Sequence, residues 1–244
     1  MTKHLVSFFK YGFSKTGSNH MKCNGNYKLF SYLICFCQIL IMCFPSVVFS
    51  AENKDIEIKV VADPGRRVSD IARFSKEEIL ARFPMEKHRE FMARAIANSY
   101  KAGVKYKTGG AFGAVIVDKN GTVISDGLNH VVGQNDPTWH GEMQAIREAC
   151  ALLKTPKLTG HILYTSSEPC PMCLATAYWA GLDGIIYGAT VADSKKYGNF
   201  DDDFIYAELS KPVADRAISE QSLMRPEAVE VWKQYAARKD KIDY

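Results

Sequence analysis

Two short stretches about thirty residues apart carry residue types that hold metals. His140-Gly141-Glu142 reads H-x-E, and Pro169-Cys170-Pro171-Met172-Cys173 reads P-C-x-x-C. One imidazole and two thiolates suit zinc, which favours nitrogen and sulfur in a tetrahedron. A structural zinc closes its fourth position with another Cys or His, whereas a catalytic zinc keeps it open for water. No fourth ligand stands near either stretch, and a redox Cys-x-x-Cys would leave the H-x-E without a use. His140, Cys170 and Cys173 are therefore the candidate ligands of a catalytic zinc. Glu142 is close to the metal without binding it. It suits a proton carrier that takes a proton from water and returns it to a reacting nitrogen.

The surrounding periodicities predict the elements that position these groups. A helix over 143–153 places Glu142 at its opening, and a second helix runs from Cys170 to Ala180. A helix N-terminus favours the thiolate form of a cysteine held there. Residues 112–118 read as a strand, Lys119-Asn120-Gly121 as a turn, and 122–129 as the returning strand. Further strands are expected over 161–165 and 184–188. Residues 88–102 read as an amphipathic helix with Phe91, Ala95, Ile96 and Tyr100 on or near one face and His88 at the surface. The chain then reads as polar from Gly188 to Phe200, with short helices over 204–209 and 229–237. Such alternation implies an α/β layered domain with a mixed sheet, in which the two motif helices lie side by side and bring their N-termini together. His130 and His161 lack partners at metal spacing, and Cys150 reads as a small buried apolar residue.

H-x-E followed by P-C-x-x-C resembles the signature of the zinc-dependent base deaminases. Residues 109–206 resemble the bacterial guanine deaminases of the cytidine deaminase-like superfamily. The supporting segments are Gly110-Ala111-Phe112-Gly113-Ala114-Val115-Ile116-Val117, the run from Asn135 to Glu142, and Ile162-Leu163-Tyr164-Thr165-Ser166-Ser167-Glu168-Pro169-Cys170 through Cys173. Deaminases of tRNA adenosine and of cytosine share these loosely. Phe200-Asp201-Asp202-Asp203-Phe204-Ile205-Tyr206 belongs to the guanine and guanosine branch.

The resemblance implies a cytidine deaminase-like three-layer α/β/α fold with a mixed central sheet and one zinc per subunit. It implies hydrolysis of guanine to xanthine and ammonia, with Glu142 as the catalytic group. It assigns Phe112 to the pocket and Asn129 and Asp202 to the base edge. It also implies a homodimer with exchanged C-terminal segments, Tyr244 sealing the partner's site. Trp139 stands beside the ligand His, where stacking on the substrate, walling the pocket and plain packing are all open. Gly141 departs from the pattern: the family usually has Ala there, and fungal cytosine deaminases have Gly. Guanosine, cytosine, an aminotriazine and tRNA adenosine are the alternative substrates. An exported zinc-binding protein without turnover is the alternative of a different class, and the intact Glu142 speaks against it.

The 244 residues suit one domain with an extension. The formal charge of +4 belongs to the leader: residues 1–50 hold five Lys and no acid, while the remainder carries 26 basic and 27 acidic residues. The body thus lacks the basic footprint of a nucleic-acid binder, and a small purine base is the expected partner. Four of the seven cysteines lie in the leader, leaving no disulfide framework. Residues 29–49 are nearly continuous apolar sequence with Lys22 and Lys28 before them and small residues before Ala51. That is the pattern of a secretory signal, with Met21 as an alternative start. An exported protein, periplasmic or secreted, is expected, or a membrane-anchored one if the leader is not cleaved. Residues 51–84 form an extension. Within it residues 56–61 alternate like a short strand, and Ser75-Lys76-Glu77-Glu78 reads as a capping box opening a helix to about Arg82. Residues 85–244 are the expected deaminase domain.

Overall fold

The computed structural model describes residues 68–241. The leader and the alternating stretch 56–61 lie outside the described residues, as does Tyr244. Four strands form one sheet in the order β2-β1-β3-β4: β1 (Gly113–Val117), β2 (Val123–Leu128), β3 (Ile162–Ser167) and β4 (Gly184–Ala189). β1 pairs antiparallel with β2 and β3, and β3 pairs parallel with β4, so the sheet is mixed.

The helices, in chain order, are α1 (Lys76–Leu80), α2 (Met85–Tyr100), α3 (Val131–Gln134), α4 (Gly141–Leu153), α5 (Pro171–Ala180), α6 (Val191–Gly198), α7 (Asp202–Leu209) and α8 (Arg225–Ala237). α1 and α2 cover one face of the sheet, and α4 and α5 cover the other. This is the three-layer α/β/α fold that the resemblance implied. Side chains of successive strand residues point to opposite faces. Ala114, Ile116 and Leu163 accordingly meet Ala145, Ile146, Ala149 and Ala177, while Val115, Val117, Ile162 and Tyr164 meet Ile79, Phe91 and Ala95. β1 and β3 are buried on both faces, which is why they read as apolar runs and not as alternation.

The capping box at Ser75 and Glu78 is formed, and α1 seats Ile79 against Gly184 while Arg82 pairs with Asp183 at 2.8 Å. The extension over 75–84 is therefore packed onto the β4 side of the sheet. Several expectations are corrected. His88 is buried, because Tyr164 Oη lies 2.7 Å from Nδ1 and the Leu80 carbonyl lies 3.1 Å from Nε2, so both ring nitrogens are satisfied inside. Ile96 and Tyr100 are exposed; the buried stripe of α2 runs through His88, Phe91, Ala95, Asn98 and Ser99. Cys150 is half-buried against the core. The stretch after Gly188 is helical over Val191–Gly198, opened by a capping box between Thr190 and Asp193. Among the described residues, no helix is long and apolar enough to cross a membrane.

Candidate metal centre

α4 and α5 begin at the two sequence stretches. His140 and Cys170 are their N-cap residues, both in extended backbone, and Pro171 starts α5 where its missing N–H costs nothing. α4 begins at Gly141, two residues earlier than its periodicity indicated, so Glu142 lies within the first turn. A β-carbon at Gly127 would stand 1.8 Å from the Gly141 carbonyl oxygen. A β-carbon at Gly141 would press on Gly113 Cα and the Phe112 carbonyl oxygen at 3.1 Å. The opening turn of α4 thus sits directly on the backbone of β1 and β2, and small residues permit it. The glycine at 141 has this local use.

His140 Nδ1 lies 3.5 Å from Sγ of both Cys170 and Cys173, and the two sulfurs lie 3.6 Å apart. A tetrahedral zinc with Zn–S of about 2.3 Å and Zn–N of about 2.0–2.1 Å has ligand-to-ligand edges of roughly 3.5–3.8 Å. The three donors match that figure, and among the described residues no fourth His, Cys or carboxylate joins them. The Cys170–Cys173 sulfur contact holds the Cys170 pKa down to about 4 despite burial, with His140 adding to the effect. The same contact, with burial, pushes Cys173 up. The Cys170 contact raises His140 in turn.

Glu142 is 2% exposed. Its Oε1 accepts from Thr165 Oγ1 at 3.1 Å, while Oε2 is buried without a hydrogen-bond partner among the described residues. An orphaned buried oxygen marks a group missing from the site. Burial raises the Glu142 pKa, with the Cys170 charge adding to it. His140, Cys170 and Cys173 fit a three-ligand zinc, with the buried Glu142 carboxyl group lining the same cavity.

A cavity of about 160 Å³ opens over the centre, lined by Phe112, Asn129, His140, Glu142, Cys170 and Asp202. The expected substrate residues Phe112, Asn129 and Asp202 are thus brought together with the metal ligands. The Phe112 and His140 rings are near-parallel, 11° apart, with centroids separated by 6.4 Å. Phe200 braces Phe112 edge-on at 4.7 Å. Asn129 is buried, and its Oδ1 accepts from the Val131 N–H at 3.1 Å. Only the amide oxygen can accept, so this contact sets the orientation of the side chain and leaves Nδ2 as a donor. Lys195 pairs with Asp201 at 2.6 Å and with Asp203 at 2.7 Å. The middle aspartate, Asp202, faces the cavity, its pKa raised by burial and by the Cys170 charge. One turn later Tyr206 donates to the Pro169 carbonyl at 2.8 Å, tying α7 to the cysteine loop.

Trp139 does not line this cavity. Its ring packs edge-on against His130 at 6.0 Å, and the Arg147 guanidinium lies 5.5 Å over it. Val131, Val132, Glu168 and Phe200 do line it and were not foreseen. Phe200 and Glu168 lie within segments that carry the resemblance, which was the available signal. The two valines sit on the four-residue helix α3, which has no sequence signature. His130 and His161 stay away from the metal donors.

Residues 85–189 match the family described as the cytidine and deoxycytidylate deaminase zinc-binding region. The guanine deaminase of Bacillus subtilis is 43% identical over 156 residues, spanning 63% of this chain and 98% of that protein. The X-ray structure of guanine deaminase from the same organism superposes with a TM-score of 0.61 at 41% identity, covering 64% of this chain and 98% of its own. The tRNA-specific adenosine deaminase of Aquifex aeolicus is 43% identical over 86 residues, 35% of this chain and 54% of that protein.

Proposed function

Because this chain belongs to the guanine deaminase family within the cytidine/deoxycytidylate deaminase-like zinc superfamily, and is a hydrolase acting on C–N bonds, we propose that it converts guanine and water to xanthine and ammonia. The observation that carries the choice of base is the pairing of Asp202 with Asn129 across one cavity. Lys195 engages the aspartates on either side of Asp202, and the Val131 N–H engages the oxygen of Asn129. What faces the substrate is one acceptor and one amide donor. Guanine presents a ring N–H for the carboxylate and the O6 and N7 acceptors for the amide. Adenine lacks the N1–H, and a site built on such pairs rejects a base that leaves them unmade.

The size agrees. About 150 Å³ holds a benzene-sized ring in an apolar cavity, so 160 Å³ suits a small flat base and crowds a ribose.

His140, Cys170 and Cys173 would hold one zinc. When bound, the metal supplies Lewis acidity that makes water a nucleophile near neutral pH. Phe112 then holds the base by its face, while Asn129 Nδ2 and Asp202 set its rotation. Glu142 Oε2 takes a proton from water as the oxygen adds to the amino-bearing carbon, and gives it to the adjacent ring nitrogen. The remaining hydroxyl proton then passes through Glu142 to the amine, the carbon–oxygen double bond forms, and the C–N bond breaks as ammonia leaves. Val131, Val132 and Phe200 limit the entry of bulk water.

Two wider readings go with this. The leader makes the enzyme an exported one, with residues 85–244 as its deaminase domain. The unburied α8, which shows Val231 and Trp232 to solvent, is the surface expected of a C-terminal segment exchanged within a homodimer. The test of function is ammonia release by the zinc-loaded chain from guanine, guanosine, cytosine and adenine side by side. Turnover of guanine with xanthine as product is expected. Turnover of cytosine alone would overturn the substrate.

A further inference from the structure

We propose that Thr165 is a positioning residue for the reaction: its hydroxyl holds one oxygen of Glu142 so that the other is aimed at the reacting centre. This rests on Glu142 being the proton carrier. Thr165 lies in β3 at 0% exposure, paired with Ala114 of β1 and Tyr187 of β4, so its backbone is fixed from both sides. Its Oγ1 lies 3.1 Å from Glu142 Oε1 and 3.0 Å from the Ser167 carbonyl oxygen, two acceptors that share its single proton. Glu142 Oε2 has no partner among the described residues although it is buried.

The asymmetry has a physical consequence. The last torsion of a glutamate is broad and roughly two-fold, so an unheld carboxyl group presents either oxygen and many orientations. A donor on one oxygen removes that freedom. The same hydroxyl also touches Ser167, three residues before Cys170. It therefore sets Glu142 relative to the strand end that carries the cysteine loop, and hence relative to the metal donors. A valine fills the same space and packs as well, so the polar atom at the centre of an apolar sheet has a use beyond volume. No residue of the recognised signature supplies this contact.

The experiment measures kcat, KM for guanine, zinc content and Tm on the full zinc-loaded chain. Thr165→Val is expected to lower kcat about 10- to 100-fold, the scale of a misplaced catalytic group, with KM and zinc content unchanged. Thr165→Ser keeps the hydroxyl and is expected to restore most of kcat. Should the valine variant fold poorly, Thr165→Ser against Thr165→Ala makes the same comparison, since both lose the methyl group and only one keeps the donor. In a Glu142→Gln background, Thr165→Val is expected to cause no further loss of the residual turnover. A valine variant with normal kcat, a serine variant no better than valine or alanine, or a change confined to KM would each overturn the proposal. Failure of the underlying reading looks different: Glu142→Gln would itself be active. An inactive Glu142→Gln beside an unimpaired Thr165→Val removes the positioning role alone.

Discussion

Glu142 has one oxygen beside Thr165 and the other buried without a hydrogen-bond partner among the described residues, and this division sets what its replacement should do. Glu142→Gln keeps the shape and the contact from Thr165 but cannot carry a proton. It is expected to lower kcat by about 10²- to 10⁴-fold, the usual worth of a positioned acid–base group, with zinc content unchanged by metal analysis. Turnover near that of the wild type would remove its role. His140, Cys170, Cys173 and Glu142 were legible in the sequence because metal and proton chemistry admit few residue types, and their spacings survive as text. The wiring of Asn129 was not. Asparagine is a residue type that caps the backbone two residues on, but the sequence does not say whether its oxygen does so here or turns to a ligand with its amide. For Trp139 the sequence leaves stacking, walling and packing open, and in the fold its ring lies against His130 and Arg147.

At the scale of elements, the strands and the motif helices were readable from apolar runs and caps. α6 was not, since Val191–Gly198 is polar and exposed; the spacing of Thr190 and Asp193 was the sign of it. His88 read as surface because a histidine on a mixed helix face usually is, and only the fold supplies Tyr164 and Leu80 as partners. The meeting of α4 with the sheet makes a testable point. Gly127→Ala would put a β-carbon 1.8 Å from the Gly141 oxygen and 2.9 Å from the Ala145 nitrogen, both backbone atoms of α4. Relief requires the helix start to move, at a cost of about 1–3 kcal/mol typical of overpacking. Lower Tm and lower zinc content are expected together, because Gly141 lies between His140 and Glu142. Unchanged zinc occupancy would show that the helix start tolerates the shift.

For the molecule as a whole, α2 is fastened to the opposite edge of the sheet by charge. Arg94 Nε donates to Asp126 Oδ1 at 2.7 Å, and Nη2 lies 2.5 Å from Oδ2, with Asn98 donating to Oδ1 at 2.7 Å. Arg94 holds the Asp126 pKa below its ordinary 3.8 against the opposing effect of burial. A carboxylate depressed in the folded state stabilises fully above its unfolded pKa, and the benefit is lost as pH falls through the folded value. The partners are half-exposed, so the contribution is modest and sensitive to salt. Thermal melts of Asp126→Asn are expected to show a deficit at pH 7 that narrows below about pH 3.8. A deficit constant with pH would assign the loss to packing.

The clip of Lys195 on Asp201 and Asp203 reaches further than its own geometry. Guanine is uncharged at neutral pH, so its binding should be indifferent to ionic strength. The acceptor that would read it, however, stands between two carboxylates drawn aside by one exposed ammonium. Exposed pairs weaken as the Debye length shrinks from about 10 Å at 0.1 M salt to about 3 Å at 1 M. KM for a neutral substrate is then expected to rise with added sodium chloride, and Lys195→Met to start high and stay flat. A KM independent of salt in the wild type would mean that α7 holds Asp202 in place through Tyr206 alone. Salt in the surrounding medium would otherwise attenuate the proposed turnover of an uncharged base.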